Sequence, residues 1–296
     1  ELLATCATGI TACWELRRSQ PTGLPLVPRL LSASLPPLEQ AARQSSPSQS
    51  SAAYLASQGY LLLGVLADHY GKLDYMEAAS QQARFYGQLA QDVNLEVAAL
   101  TRLAVAYDYK GNYVKGLETY QEAAALPGFS GVSPLLQGRV YAGLASTNAY
   151  CSQPTQALSY LSRAKEVYPD DPGVDPSYQF ALCGNTTLAL WEGLTLKHTE
   201  DYSASFGVFT RFGTLTPTSG VLEQNRADHL NYAASVAVRQ KDLDAALLYL
   251  DAAEGIAQDI QHAMRLSEVH DTLRSMRLLW PHEAKVKTLQ EKFYQY

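Results

Sequence analysis

The sequence predicts an all-α fold, a solenoid of about seven helical hairpins stacked side by side. Three observations carry it. Apolar residues recur three and four apart along most of the 296-residue chain, the period of helices with one buried stripe. The stripes come in pairs divided by short turn signals, and no stretch reads convincingly as a strand. The paired pattern then returns at spacings of 38, 41, 48 and 41 residues. A lone hairpin cannot bury its own apolar face, so recurrence at this interval implies stacking against neighbours.

The clearest unit is residues 97–127. Leu100, Leu103, Ala104 and Tyr107 form one helical stripe. Lys110-Gly111-Asn112 ends it, because glycine and asparagine tolerate left-handed backbone. A second helix resumes at Tyr113 with Leu117, Tyr120, Ala123 and Ala124 inward, and Pro127-Gly128 stops it.

In chain order, residues 2–19 form a first helix ending at Pro21-Thr22-Gly23, and residues 24–44 a second. Pro36-Pro37 is expected to kink or interrupt that second helix, since proline lacks the amide hydrogen and crowds the preceding turn. A polar linker over residues 44–51 follows. Five units then begin near Gly59, Val97, Gly138, Thr186 and Ala227 within residues 52–262. Their second helices open at Tyr75, Tyr113, Pro154, Tyr202 and Leu243 and carry a small residue at Ala78, Gly116, Ala157, Ser205 and Ala246. A later bulky residue is Tyr120, Leu161, Phe209 or Leu250, and the first unit fits worst, with Gln82 there. The loop 169–176 (PDDPGVDP) accounts for the longest spacing and is expected to be non-helical. A last pair, about 263–279 and 282–294, is divided by Trp280-Pro281, so that residues 1–296 form a single solenoid.

Composition excludes some functions. Net charge is −6 with no basic run, a poor endowment for gripping a phosphate backbone, so no direct nucleic acid contact is expected of this chain. Charged residues make up 18% against roughly 25% in typical soluble domains, which suggests that part of the helical surface is groove or interface. No run reaches the ~20 apolar residues of a membrane span. Cys6, Cys13, Cys151 and Cys183 form no CxxC and no dense framework, which points to a reducing, cytoplasmic setting. The chain opens on Glu1 rather than methionine and enters a helix at once, as an excised segment of a longer protein would.

The unit pattern resembles the tetratricopeptide repeat (TPR), a helix-turn-helix with small and aromatic residues at fixed positions. Residues 97–127 match best, then 138–169 with Leu144-Ala145, Ala157, Leu161, Ala164 and Pro169. The resemblance covers about residues 59–260 and implies a right-handed superhelical α-solenoid. The whole chain is also similar to the C-terminal repeat domain of bacterial XRE-type helix-turn-helix transcription regulators. That likeness rests on SAAYLASQGYLL (51–62), SPLLQGRVYAGLASTNAYC (133–151), LALWEGLTL (188–196) and RLLWPHEAKVKTLQEKF (277–293). It implies a repeat domain that senses a ligand or partner and mediates dimerisation, with a DNA-binding domain outside this chain.

Catalytic signatures are missing: there is no HExxH, GxSxG, glycine-rich phosphate loop or GxGxxG, so no enzyme activity and no cofactor are expected. Asp170, Asp171 and Asp175 lack the spacing of a calcium loop. His262 and His270 lie too far apart for a helical zinc pair, so no metal is expected. Asn185-Thr186-Thr187 fits a glycosylation acceptor but lacks a secretory signal.

The resemblance places the first helix of each hairpin on the inner surface. Counting from the unit starts, the inner positions are Tyr60, Tyr70, Thr101, Asp108, Tyr109, Arg139, Tyr150, Lys197, His198, Asn231 and Arg239. Tyrosine offers a rigid aromatic with a polar tip, while Asn and Arg suit a peptide backbone or carboxylate. The expected occupant of this groove is a peptide, a small molecule or a protein. The lysine-and-asparagine clamp for chaperone tails is not reproduced, because Thr101, Val105, Ala142 and Ser146 stand in its places. Apolar ends at Trp14, Leu278, Leu279 and Trp280 lead to the expectation of a homodimer. A free-standing scaffold for protein–protein contacts is the alternative.

Overall fold

The computed structural model describes residues 2–19 and 25–293. The helices run α1 Leu2–Ser19, α2 Val27–Ala42, α3 Gln49–His69, α4 Leu73–Ala90, α5 Val93–Tyr109, α6 Tyr113–Ala124, α7 Pro134–Tyr150 and α8 Pro154–Val167. They continue as α9 Tyr178–Ala181, α10 Asn185–His198, α11 Tyr202–Phe212, α12 Glu223–Gln240, α13 Leu243–Asp259, α14 Ala263–Leu279 and α15 Ala284–Phe293. No strand occurs among the described residues. Apart from the four-residue α9, the helices pair in order into seven hairpins, each packed on the next, which is a right-handed TPR-like α-solenoid.

Each turn inside a repeat is built the same way. One residue adopts left-handed backbone, the next caps the second helix, and that helix begins with the residue after it. The left-handed residue is Gly71 and Gly111 in the first two repeats, then Ser152 (φ 58°), Glu200 (φ 66°) and Lys241 (φ 61°). Side-chain caps then satisfy the orphan amides. Asn112 accepts from Lys115 N, Asp201 from Ala204 N at 3.1 Å and Asp242 from Ala245 N at 3.0 Å.

Close crossings use residues without a side chain. A Cβ on Gly193 of α10 would overlap the Phe209 ring of α11, and one on Gly143 of α7 would overlap the Tyr120 ring of α6. Phe209 and Tyr120 are fully buried there. Ser205 Oγ adds a hydrogen bond to Gly193 O at 2.8 Å, and Ser57 Oγ makes the same link to Ala83 O at 2.8 Å in the first repeat.

Several expectations are amended. The first repeat is shifted by two residues: Leu73 opens α4, and Tyr75 and Ala78 lie exposed. The helix α2 runs through Pro36-Pro37 without a break. The carbonyls that lose donors, four residues back, belong to Ser32 and Ala33. Both residues are on the exposed face, open to solvent. The acidic loop contains one 3₁₀ turn, Pro172–Val174, and buried Asp175 accepts from Leu135 N and Ser177 N. That carboxylate caps α7. Trp14 is wholly buried, whereas Leu278 is 83% exposed. The Pro21-Thr22-Gly23 stop lies outside the described residues.

The solenoid also closes on itself. The start of α14 returns to the end of α3, where the His69 and His262 rings meet at 4.5 Å. Ala263 lies 3.6 Å from where a Gly71 Cβ would be. Arg265 Nη1 donates to Tyr109 Oη at 3.0 Å, across 156 residues of sequence. The expected open trough is instead a ring of first helices, α3, α5, α7, α10, α12 and α14, around a central hollow.

Candidate ligand-binding cavity

The hollow has a volume of about 620 Å³. Several first helices send a stripe into it at helical spacing. These are Arg102, Val105 and Tyr109 from α5; Arg139, Ser146 and Tyr150 from α7; Asn225, Asp228 and Tyr232 from α12; Arg265 and Glu268 from α14. A repeat stacked on both sides has only this edge left for polar side chains, so charges buried there must find partners with one another.

Most do. Arg265 pairs with Asp228 through Nε and with Glu268 at 2.8 Å. Tyr232 Oη donates to the other Glu268 oxygen at 2.7 Å, and Thr272 Oγ1 to Asn231 Oδ1 at 2.8 Å. Arg102 meets Asp68 at 3.0 Å and donates to Gly64 O at 3.3 Å. Burial raises the Asp68 carboxyl, but Arg102, Arg265 and His262 outweigh it and hold it at about 2. The network ties α3, α5, α12 and α14 together.

An aromatic wall stands on the α7 side. Tyr113 and Tyr150 stack at 4.2 Å, and His198 lies over Tyr150 at 3.9 Å. Burial, with Lys197 and Arg239 nearby, drops the His198 imidazole to about 4, so it is neutral at physiological pH. Lys197 Nζ donates to Ser235 Oγ at 2.6 Å and is lowered to about 8, by burial first and Arg239 second.

Two charged residues stay unmatched. Arg139 is 4% exposed, and its guanidinium carbon lies over Trp191, 3.4 Å from the ring centre. Its Nε and Nη1 are sealed from water without an acceptor, and burial depresses its pKa. Asp108 Oδ2 accepts from Thr147 Oγ1 at 3.3 Å, while Oδ1 is sealed without a donor. Burial pushes this carboxyl up to about 7, against the lowering influence of Thr147 and Arg139.

Of the residues expected inside, Asp108, Tyr109, Arg139 and Tyr150 line the cavity. Lys197, His198 and Asn231 stand just behind it through Tyr232, Tyr150 and Thr272. Four lie elsewhere. Tyr60 donates to Glu39 and stacks on Tyr86 at 5.7 Å, a consequence of the two-residue shift in the first repeat. Tyr70 is exposed at the end of α3, Thr101 is buried and donates to Ala98 O at 2.8 Å, and Arg239 is exposed in the last turn of α12. Sequence reading missed Asp68, Arg102, Trp191, Asp228, Tyr232, Arg265 and Glu268. The available signal was charge at first-helix positions that are otherwise apolar, including the last pair, which had not been counted into the repeat.

A second hollow, of about 590 Å³, lies on the outer face between α4 and α6. Its Arg84 is already paired with Glu96 and Glu122, and it offers no unmatched buried group. No cluster of metal-ligating side chains occurs among the described residues.

No family model and no curated protein sequence matches the chain. Solved structures do. BtubC (BKLC) from P. vanneervenii superposes with a TM-score of 0.53 at 16% identity, over 79% of this chain and 92% of that one. YrrB, a TPR protein with an unusual peptide-binding site, gives 0.33 at 20% identity, over 71% and 89%. The Cut9-Hcn1 hetero-tetramer of APC/C gives 0.48 at 13% identity, over 99% and 55%. The first of these likenesses supports the fold alone. In architecture the chain is a repeat protein of stacked helical hairpins.

Proposed function

We propose that this chain is the sensor and dimerisation module of a cytoplasmic bacterial transcription regulator whose DNA-binding domain lies outside it, and that the central cavity receives the effector. The observation that carries the sensing role is the cavity itself, enclosed by six inner helices and about 620 Å³ in volume. Small-molecule sites fall at roughly 300–1,000 Å³. A ring closed by Arg265 leaves little open trough for a long extended segment, so the effector is a small molecule or a very short peptide. Signalling follows from geometry: repeat packing angles sum around the ring, and an effector that fits one arrangement better shifts the population toward it. The XRE-type sequence likeness supports the regulator role.

The test is to express the full gene product that contains this chain and measure promoter DNA binding with and without cavity substitutions. A helix-turn-helix N-terminal to Glu1, with DNA affinity altered by Asp228→Asn or Tyr232→Phe, is the expected result. A gene lacking any DNA-binding segment, with partner proteins retained on the isolated chain, establishes the scaffold reading in its place.

A further inference from the structure

We propose that the cavity is selective for a small monocarboxylate with an apolar body, whose carboxylate is received by Arg139 on its Trp191 platform. The inference rests on the sensing reading of the cavity and names the class of effector.

The argument starts from charge matching around the hollow. Arg102 is matched by Asp68, Arg265 by Asp228 and Glu268, and Asp271 by Arg274 at 2.8 Å. Arg139 has no carboxylate within ion-pair distance among the described residues. Asp108, the remaining cavity acid, does not supply one: Oδ2 is taken by Thr147, and Oδ1 is pressed against Gly116, into the space where a Cβ there would lie. Burying a guanidinium with nitrogens unsatisfied is among the costlier arrangements in a folded chain. It persists where an anion completes it.

The platform sets the geometry. Contact with the indole restrains the guanidinium, whose planar fork fits a planar carboxylate through two parallel hydrogen bonds. One unmatched positive group favours a monoanion over a phosphate dianion, which needs more donors than Arg139 alone provides. The lining of the same cavity also contains apolar side chains, Val105, Leu190, Leu194 and Phe212 among them. Such walls suit an alkyl or aryl body. Tyr113 and Tyr150 add aromatic surface to the same lining.

The test uses the purified chain, titrated calorimetrically and by tryptophan fluorescence, since Trp191 lies under the guanidinium. Probes are phenylacetate, 3-phenylpropionate and octanoate, their neutral amides, and inorganic phosphate. At least one acid is expected to bind, at least tenfold more tightly than its amide and than phosphate. Arg139→Lys is expected to weaken that acid at least tenfold, because an ammonium cannot form the fork. Arg139→Met is expected to abolish acid binding while leaving the unliganded melting temperature unchanged or raised. A merely structural arginine predicts the reverse: a lowered melting temperature and undiminished acid binding. Amides binding as tightly as acids, phosphate binding best, no acid binding at millimolar concentration, or full acid affinity in Arg139→Lys would each overturn the proposal. Equal binding of acid and amide would leave the cavity a ligand site and the sensing reading intact, with only the effector class wrong.

Discussion

Asp108 is the residue whose ionisation most directly couples the cavity to pH. Its carboxyl is raised from 3.8 to about 7, by burial above all, with Thr147 and Arg139 opposing. Below its unfolded value the group is neutral in both states and costs nothing. Between about 4 and 7 the unfolded chain sheds a proton that the folded chain keeps, so this group erodes stability as pH rises, and the loss levels off above about 7. Asp108→Asn removes the effect. Its melting temperature should exceed that of the parent clearly at pH 8 and hardly at pH 4, and a difference that grows toward acid would contradict the assignment. His198, His229 and His262 act in the opposite sense. Burial lowers them to about 4, 4 and 3. Their unfolded forms therefore take up protons first, and stability falls as pH drops below about 6.5.

At the scale of the element, the hairpin turns show why part of the fold was readable and part was not. Gly111-Asn112 announces its turn in the sequence, because only such residues enter left-handed backbone cheaply. Ser152, Glu200 and Lys241 occupy the same place with no local signal, since neighbouring repeats hold the turn whatever residue stands there. Left-handed backbone costs a residue with a Cβ roughly 1 kcal/mol. Glu200→Gly should therefore stabilise the protein by up to about 1 kcal/mol in urea unfolding, with an unchanged slope. The helix crossings work in the other direction. Gly193→Ala puts a methyl into the Phe209 ring and should cost about 1–3 kcal/mol; an unaltered midpoint would show that the crossing is loose. Helix periods and small residues made the seven hairpins legible. The two-residue shift around Leu73 was not, because Tyr75 imitates the aromatic that opens the other second helices while lying on the surface.

The whole molecule adds a property that no single repeat encodes. Ring closure depends on how far each hairpin is rotated from the last, a sum over many small angles, so the meeting of α14 with α3 was invisible to pattern reading. The candidate site followed the same division. Asp108, Tyr109, Arg139 and Tyr150 were readable from repeat position, whereas Arg265 and Glu268 reach the cavity only because the ring closes. Arg265→Ala strands Asp228 and Glu268 and should cost about 3–5 kcal/mol. Hydrogen exchange should then accelerate first at the end of α3 and the start of α14. Exposed Leu278 and Leu279 near the C-terminal end are the proposed dimer contact, and Leu278→Asp should convert a dimer to a monomer in sedimentation.

A linear array of repeats frays from either tip, shedding units one at a time. Here Arg265 fastens to Tyr109 and Asp228, so peeling away the final hairpin would strip Asp228 of its counter-ion and distant α5 of a tether. Melting should consequently be a single concerted event instead of a ladder of shortened intermediates, and a truncation ahead of α14 should yield a collapsed or insoluble product, not a shorter working solenoid.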